Sequence, residues 1–588
     1  MLLTSTAGSQ AARHALWMPA LLLACALPAL LAYNLPPSST MLNQCLAVGL
    51  WGGVVATVAP SDGWLRARVL MAAVLLLLAA VLGSGLFGAL PLPLTASAAA
   101  LVIAALGVAW AGCAAAQRDE RTALFSWFAI GLLVAGALST VVALVQVFAP
   151  SLADGNWIAV SGLPGRAVGN LRQPNHLCSL LLWGVIATVA LHELRVLRFG
   201  ATAALVAAMV FAVELSASRT GALGLGLLAL WGLLDKRLSR RSRALLLATP
   251  LLYALSYGAM ALYGQWSDQA FGAAARIAAD SAAEGGGGIE SPNSRRRIWA
   301  NALALIARHP WLGVGFGEFN FAWSLTPFPG RPTAFFDHTH TLPLQLAVEL
   351  GLPLAGLIMG LLGLALWQGW RRSGDATGDD GTCARSAWML VLMIGLHSLS
   401  EYPLWYAYFL LPAAFAWGFS LGAGRAVTAI GPRPGPSWAG GIAGAVLVLG
   451  AAYATYDYKL IVDIYAPSES AGPLDERIAI GQRSLLFGHH ADYAAATGAE
   501  PMPGTALAFR RAPHYLLDTR LMIAWARYLD QHGQPDLARA LADRLREFRN
   551  SASDEFLKPC AQGAFSNFQC QAPQRPHDWR DYRSPPAK

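Results

Sequence analysis

Charge is what this chain has least of. Only 13% of its 588 residues are Asp, Glu, Lys or Arg, about half the roughly 25% usual in a soluble domain. A protein that keeps most of its surface in water is excluded on that ground. The 55% hydrophobic content and mean hydropathy of +0.45 agree. Cysteine pairs are lacking too. Seven cysteines are scattered, with no C-x-x-C pair and no Cys/His spacing of a metal site. Cys25, Cys45, Cys113 and Cys178 lie in or beside apolar runs and read as small packing residues. No basic–aromatic nucleic-acid motif occurs, so the net charge of +8 does not point to nucleic acid.

What is there is apolar sequence in long runs. Leu–Ala–Val–Gly stretches of roughly 17–25 residues, each able to span a bilayer, recur to about Tyr456. Sliding-window logic yields about thirteen: 15–33, 42–59, 68–89, 94–116, 123–149, 177–194, 199–217, 219–235, 244–264, 342–367, 385–401, 403–424 and 438–456. The fold class expected is an all-α polytopic membrane protein. The first run, with Arg13 before it, can be misread as a signal peptide; the many spans that follow make it an anchor.

Basic residues then orient the spans. With the N-terminus inside, the inside loops hold Arg66 and Arg68; Arg118 and Arg121; Arg195 and Arg198; Lys236 to Arg243; Arg371, Arg372 and Arg385; and Arg425 and Arg433. The short outside loops 34–41 and 90–93 hold none. The net charge is thus mainly a topology signal, and the C-terminal segment is expected outside.

Residues 1–456 form the expected membrane domain, interrupted outside by loops 150–176 and 265–341. The second is long enough to need its own structure. Its Gly-rich centre, 284–293, reads as flexible. The next stretch, 294–310, repeats Ile298, Ala302, Leu305 and Ile306 at helical spacing and stops at Pro310. The tail, 457–588, is polar. Two amphipathic helices in 514–549, with Leu517, Leu521 and Trp525 on one and Leu541, Leu545 and Phe548 on the other, form a single tetratricopeptide-like hairpin. Residues 574–588 read as disordered. Cys560 and Cys570 fall in this tail. An oxidising compartment lets them close a short loop, although sequence does not prove connectivity.

Ionisable groups gather at the outer ends of the spans. Arg166, Arg172, Arg219, Arg295, Arg296, Arg297 and Arg331 sit on the side that short loops keep free of base. Arginine forks match phosphate oxygens, so Arg219 and Arg297 suit a lipid-linked phosphate; the alternative is snorkelling to headgroups. Arg295, Arg296 and Arg331 read as solvated surface. His338 and His340 flank Thr339, and a histidine there can serve as a base. Two histidines and Asp337 are too few for a metal, so no metal or other cofactor is expected. Gln173 opens the QPNH stretch, 173–176. Glu401 and Tyr402 join two spans; Glu401 suits an arginine partner and Tyr402 a phosphate or sugar, or the pair is a tight turn.

The motifs NLRQPNH (170–176), SASRTG (216–221), RRRIWANALALIARHPWLGVGFGEF (295–319), HTHTLPLQLAVELGLP (338–353) and HSLSEYPLWYAYF (397–409), in this order, carry a family likeness. The chain resembles the bacterial O-antigen ligase and polymerase superfamily (Wzy-C type), and more closely its protein O-oligosaccharyltransferase branch (PglL or PilO-type). NLPPSST at 34–40 points to the same branch. The resemblance implies a GT-C-like, metal-independent, inverting enzyme of the bacterial inner membrane. It would move a glycan from undecaprenyl pyrophosphate to a periplasmic acceptor, either a pilin-like protein or lipid A–core. It implies His340 as base and Arg219 and Arg297 on the pyrophosphate, with Arg172 and Arg166 beside them. Gln173, Tyr402, Glu401 and His338 would position substrates. Thr341 stands where the family usually has asparagine. A transporter of lipid-linked glycan would need polar residues along the depth of the spans; here they cluster at one face.

Overall fold

The structure, a computed structural model, describes residues 4–58, 62–282, 292–333, 335–424, 438–498 and 504–583. Among these residues the chain is helical, without strands. Among the described residues nine helices are apolar and long enough to cross a membrane, and three shorter apolar helices accompany them. In chain order the helices begin with α1 (Thr4–Leu30), α2 (Met41–Val58), α3 (Arg68–Phe87), α4 (Leu92–Ala115) and α5 (Arg121–Phe148). Next come α6 (Pro174–Glu193), α7 (Phe199–Ser216), α8 (Arg219–Leu234) and α9 (Arg240–Ser267). The long loop contributes α10 (Gly272–Ala282), α11 (Pro292–Arg308) and α12 (Phe319–Leu325). Then follow α13 (Leu342–Asp375), α14 (Gly378–Ser398), α15 (Ala407–Gly422) and α16 (Trp438–Tyr465). The chain is a multi-pass membrane protein. Each expected span coincides with a helix; the span expected at 385–401 lies in α14, whose first turn carries Asp379 and Asp380.

Contacts divide the chain into two compact units. Unit 1 comprises Met1–Val74, Leu101–Ala279 and Gly360–Thr455; unit 2 comprises Leu75–Ala100, Asp280–Met359 and Tyr456–Lys588.

Unit 1 is built round α6, buried almost throughout. Small residues let helices close on one another, which is how packing holds in lipid. A Cβ on Gly418 of α15 would stand 2.0 Å from the Ala109 carbonyl of α4, and one on Gly112 would stand 2.1 Å from that of Phe415. Trp51, Phe125, Phe128 and Phe415 fill the space beside this contact. The loops expected inside also meet. Arg121 pairs with Asp380, Arg385 Nε lies 2.9 Å from Asp235 Oδ2, and Arg372 Nη1 donates to the Arg66 carbonyl at 2.9 Å. Arg425 and Arg433 lie outside the described residues.

Unit 2 joins the long loop to the tail. The tail helices are α17 (Leu474–Gly481), α18 (Gly488–Thr497), α19 (Thr505–Arg511), α20 (Thr519–Gln531), α21 (Pro535–Phe548) and α22 (Ser551–Ala561). Leu521 and Trp525 of α20 and Leu541, Leu545 and Phe548 of α21 are buried, as their helical spacing requires. All seven residues of α12 are buried too. Asn320 Oδ1 accepts from the Leu517 N–H at 2.8 Å, and His514 Nδ1 lies 2.8 Å from Glu318 Oε2.

Two expectations are corrected here. Arg331, read as solvated surface, is fully buried. Its guanidinium stands 4.6 Å from the rings of both Trp323 and Phe548, and its Nε lies 3.1 Å from Glu547 Oε2. Burial pushes its pKa down to about 10, with Glu547 opposing, so it stays a cation at neutral pH. A desolvated cation–π contact of this kind is worth about 2 kcal/mol or more. The expectation of disorder from Gln574 also fails as far as Arg583. Trp579 is buried, its Nε1 3.4 Å from His309 Nε2, and Arg583 Nη2 donates to the Val314 carbonyl at 3.2 Å. Composition hid this because one tryptophan supplies enough apolar area to anchor a polar segment. Residues 584–588, and 284–291 of the Gly-rich stretch, lie outside the described residues.

Cys560 and Cys570 are joined as a disulfide, and Cys25, Cys45, Cys113, Cys178 and Cys383 are buried thiols. Non-reducing peptide mass analysis is expected to find the 560 and 570 peptides linked, two hydrogens lighter than the separate thiols. Both peptides recovered as free thiols would refute the bond.

Candidate active site

In unit 1 three of the sequence motifs converge through short polar bridges. Gln173 occupies the N-cap of α6, and its Oε1 accepts from the His176 N–H at 2.7 Å. Ser218 caps α8, accepting from the Gly221 N–H at 3.1 Å. Caps of this kind satisfy donors that a helix start leaves without partners. Between the two caps stands Asn175. Its Oδ1 accepts from Ser218 Oγ at 2.6 Å and its Nδ2 donates to Glu401 Oε1 at 3.1 Å. The carboxylate of Glu401 is buried. Thr220 Oγ1 and Ser400 Oγ, 3.0 Å apart, form a second link between the same segments.

The arginines of this unit differ in what they do. Arg166 is buried, and its Nε donates to the Ser216 carbonyl at 3.0 Å, bracing the turn before α8. Arg172 has a left-handed backbone, φ 58°, and its Nη2 donates to the carbonyls of Ala32 and Gly155 at 2.9 and 3.0 Å. Arg219, the first residue of α8, is exposed. It stands at a helix start, where the polarity of the backbone favours an anion. Tyr402 stacks with Tyr406, whose ring meets that of His176.

In unit 2 the histidine loop is held at its middle residue. Thr339 N–H donates to Gln345 Oε1 at 2.8 Å, and Trp299 Nε1 donates to the Thr339 carbonyl at 2.8 Å. Gln345 Nε2 in turn donates to Glu349 Oε1 at 2.9 Å. His340 follows with φ 56°. A left-handed non-glycine residue costs of order 1–3 kcal/mol and persists only where its surroundings over-determine it. The His340 ring is 7% exposed and sits edge-on to Phe336. His338 Nδ1 lies 3.0 Å from Asp337 Oδ1. Partial loss of water acts to raise the Asp337 carboxyl. The charges of His338 and His340 and the hydrogen bond to His338 outweigh it and hold the pKa at about 2. Arg297 is exposed on α11. Among the described residues no three His, Cys, Asp or Glu side chains gather as a metal ion would need.

The turn after α11 is clamped to a kink in α13. Gly351 has φ 76° and ψ 163°, breaking the helix just before Pro353. The Val314 and Gly315 N–H groups donate to the Val348 and Glu349 carbonyls, both at 2.9 Å. A Cβ on Gly351 would stand 2.3 Å from the Trp311 carbonyl, so only glycine serves there.

Three family models match successive parts of the chain. They are described as protein glycosylation ligase (residues 167–192), O-antigen ligase (204–367) and virulence factor membrane-bound polymerase, C-terminal (386–554). The chain resembles the O-antigen ligases and protein glycosylation ligases. That superfamily likeness spans the sites just described. The first match takes in Arg172, Gln173 and Asn175; the second takes in Arg219, Arg297, His338 and His340; the third takes in Glu401, Tyr402 and most of the tail. Two relatives from Acinetobacter baylyi agree. A general O-oligosaccharyltransferase is 26% identical over 311 residues, 51% of each chain. A ComP-specific O-oligosaccharyltransferase is 24% identical over 266 residues, 44% of each. The matches span about half the length of these relatives.

Sequence reasoning passed over several residues at these sites. Asn175 lies in the QPNH stretch, which spacing alone reads equally well as functional or as helix-start punctuation. Ser218 carries an N-cap signal, but nothing local says that it also bonds Asn175. Gln345 and Glu349 stand four apart on one helix face, a spacing that does predict their contact. Trp299 has no such signal, being 40 residues from Thr339.

Proposed function

We propose that this chain transfers a glycan from undecaprenyl pyrophosphate to a serine or threonine hydroxyl of an exported, pilin-like protein. The observation that carries the reading is the O-antigen ligase match over 204–367, which contains Arg219, Arg297 and His340 together. The relatives' names favour a protein acceptor.

In this reading the acceptor oxygen attacks C1 of the first sugar as the C1–O bond to pyrophosphate breaks. The lipid pyrophosphate leaves with the bonding electrons, and the acceptor proton passes to His340. Attack from the far side inverts C1. Arg219 and Arg297 neutralise the charge growing on the leaving group, the work a preorganised cation does best. Arg166 and Arg172 brace the loops that carry Arg219 and Gln173. Glu401 and Tyr402 position the substrates, with Asn175 tying Glu401 to the caps of α6 and α8. His338, beside Asp337, supports the loop of His340. The proposed setting is the bacterial inner membrane, N-terminus in the cytoplasm and the tail in the periplasm.

The O-antigen ligase and polymerase matches favour a second reading, with lipid A–core or another glycan as acceptor. Purified chain in liposomes, given undecaprenyl-pyrophosphate glycan with a pilin-like protein or lipid A–core, separates the two. Glycan appearing on the protein is the expected result. Transfer to lipid A–core alone would overturn the protein reading, and transfer to neither would overturn both.

A further inference from the structure

The outward face of α11 is unlike that of a helix in water. Its buried side carries Ile298, Ala302, Leu305 and Ile306. Between Arg297 and Arg308 every exposed residue is apolar as well: Trp299, Ala300, Leu303 and Ala307. A stretch of helix whose exposed residues are apolar like its buried ones, here bounded by the exposed Arg296, Arg297 and Arg308, suits an outer side in something other than water. The strip runs on into the following turn, where Trp311 is 75% and Leu312 85% exposed. A contiguous exposed apolar strip marks a contact surface.

Two hydrogen bonds fix the level of that turn. Leu352 N–H donates to the Pro310 carbonyl at 2.8 Å, and Phe316 N–H donates to Ser84 Oγ at 2.8 Å. Leu352 opens the apolar run of α13 beyond the Gly351 kink, and Ser84 lies in the last turn of α3. Both helices are long and apolar enough to cross a membrane. The turn is therefore tied to two places where bilayer-spanning sequence ends. Leu352 beside it and Phe87 at the end of α3 are themselves exposed. Tryptophan at that level is the side chain expected at the boundary between headgroups and acyl chains, and arginines above an apolar face reach lipid phosphates.

We infer that α11 and its following turn are seated in the bilayer surface, with Trp311 and Leu312 below the headgroups and Arg296 and Arg297 among them. The partner is lipid. This deepens the glycosyltransferase reading and rests on it for its consequence. A lipid-linked donor carries its pyrophosphate at headgroup depth, where Arg297 would meet it. The Trp299–Thr339 hydrogen bond then hands the same level to the loop of His340.

The test needs no activity, so its failure is distinct from failure of the enzymatic reading. Spin labels are attached to Leu303→Cys, Leu312→Cys and, as a water-side control, Phe565→Cys, each in the full chain in liposomes. The five free thiols are buried and the other two are bonded, so labelling goes to the new site. Labels at 303 and 312 are expected to collide more with oxygen than with a water-soluble nickel chelate, and the label at 565 the reverse. Nickel access at either 303 or 312 equal to that at 565 would overturn the inference. A lipid carrying a diazirine on its acyl chain provides a second measurement on the unsubstituted chain. Photolabel should appear on peptides from 299–312; label confined to the spans would likewise overturn it.

Discussion

Replacing His340 by alanine is expected to abolish glycan transfer while leaving donor binding nearly intact. General-base catalysis is typically worth about 10²–10⁴-fold, and in the proposed reaction nothing else takes the acceptor proton. The arginines, which hold the pyrophosphate in that reading, are untouched. His338→Ala is the control: it loses the contact with Asp337 and should keep more activity than His340→Ala. Chelators should change nothing. Single-turnover transfer and donor binding, measured side by side on both variants, check this. A fully active His340→Ala enzyme, or the reverse ranking of the two histidines, would show that the base lies elsewhere.

Arg219→Ala and Arg297→Ala come next in expected size. Both side chains are exposed and carried on well-formed helices, at the first position of α8 and in the early turns of α11. Their loss should leave folding and insertion unchanged. In the proposed reaction each variant removes a charge-assisted contact to the leaving group, worth about 1.5–3 kcal/mol, or roughly ten- to hundredfold in transfer. Lysine should rescue poorly, since it keeps the charge and loses the two-pronged fork. Transfer rates with the protein quantified in the membrane fraction give the comparison. Near-normal rates in both alanine variants would mean that these arginines meet only lipid headgroups.

Arg166 and Arg172 belong to a different class, which their residue type did not reveal. All four arginines stand on the side expected to be poor in base. Yet Arg166 and Arg172 bond backbone carbonyls of their own unit. The distinction depends on which carbonyls lie within reach, and Ala32 is 140 residues from Arg172. Arg331 shows the same limit more sharply. It sits in a Pro- and Gly-rich stretch that reads as open loop, and it is buried because Trp323, Phe548 and Glu547 close round it.

The helices were legible in the residues alone. They are sums over neighbours in the chain: apolar length decides a span and 3.6-residue periodicity decides an amphipathic helix. The histidine pair, the arginines at span ends and the QPNH, SASRTG and EYP motifs were all visible on that basis. How they are held depends on contacts between segments far apart in the chain. They put Asn175 between Ser218 and Glu401, positions 226 residues apart from Asn175 to Glu401. They pin Thr339 between Trp299 and Gln345, next to His340 with its left-handed backbone. They also lay the tail over α12, where Asn320, Glu318 and Arg331 receive it. Short hydrogen bonds and ring contacts act over a few ångströms in space, and separation along the chain carries no information about them.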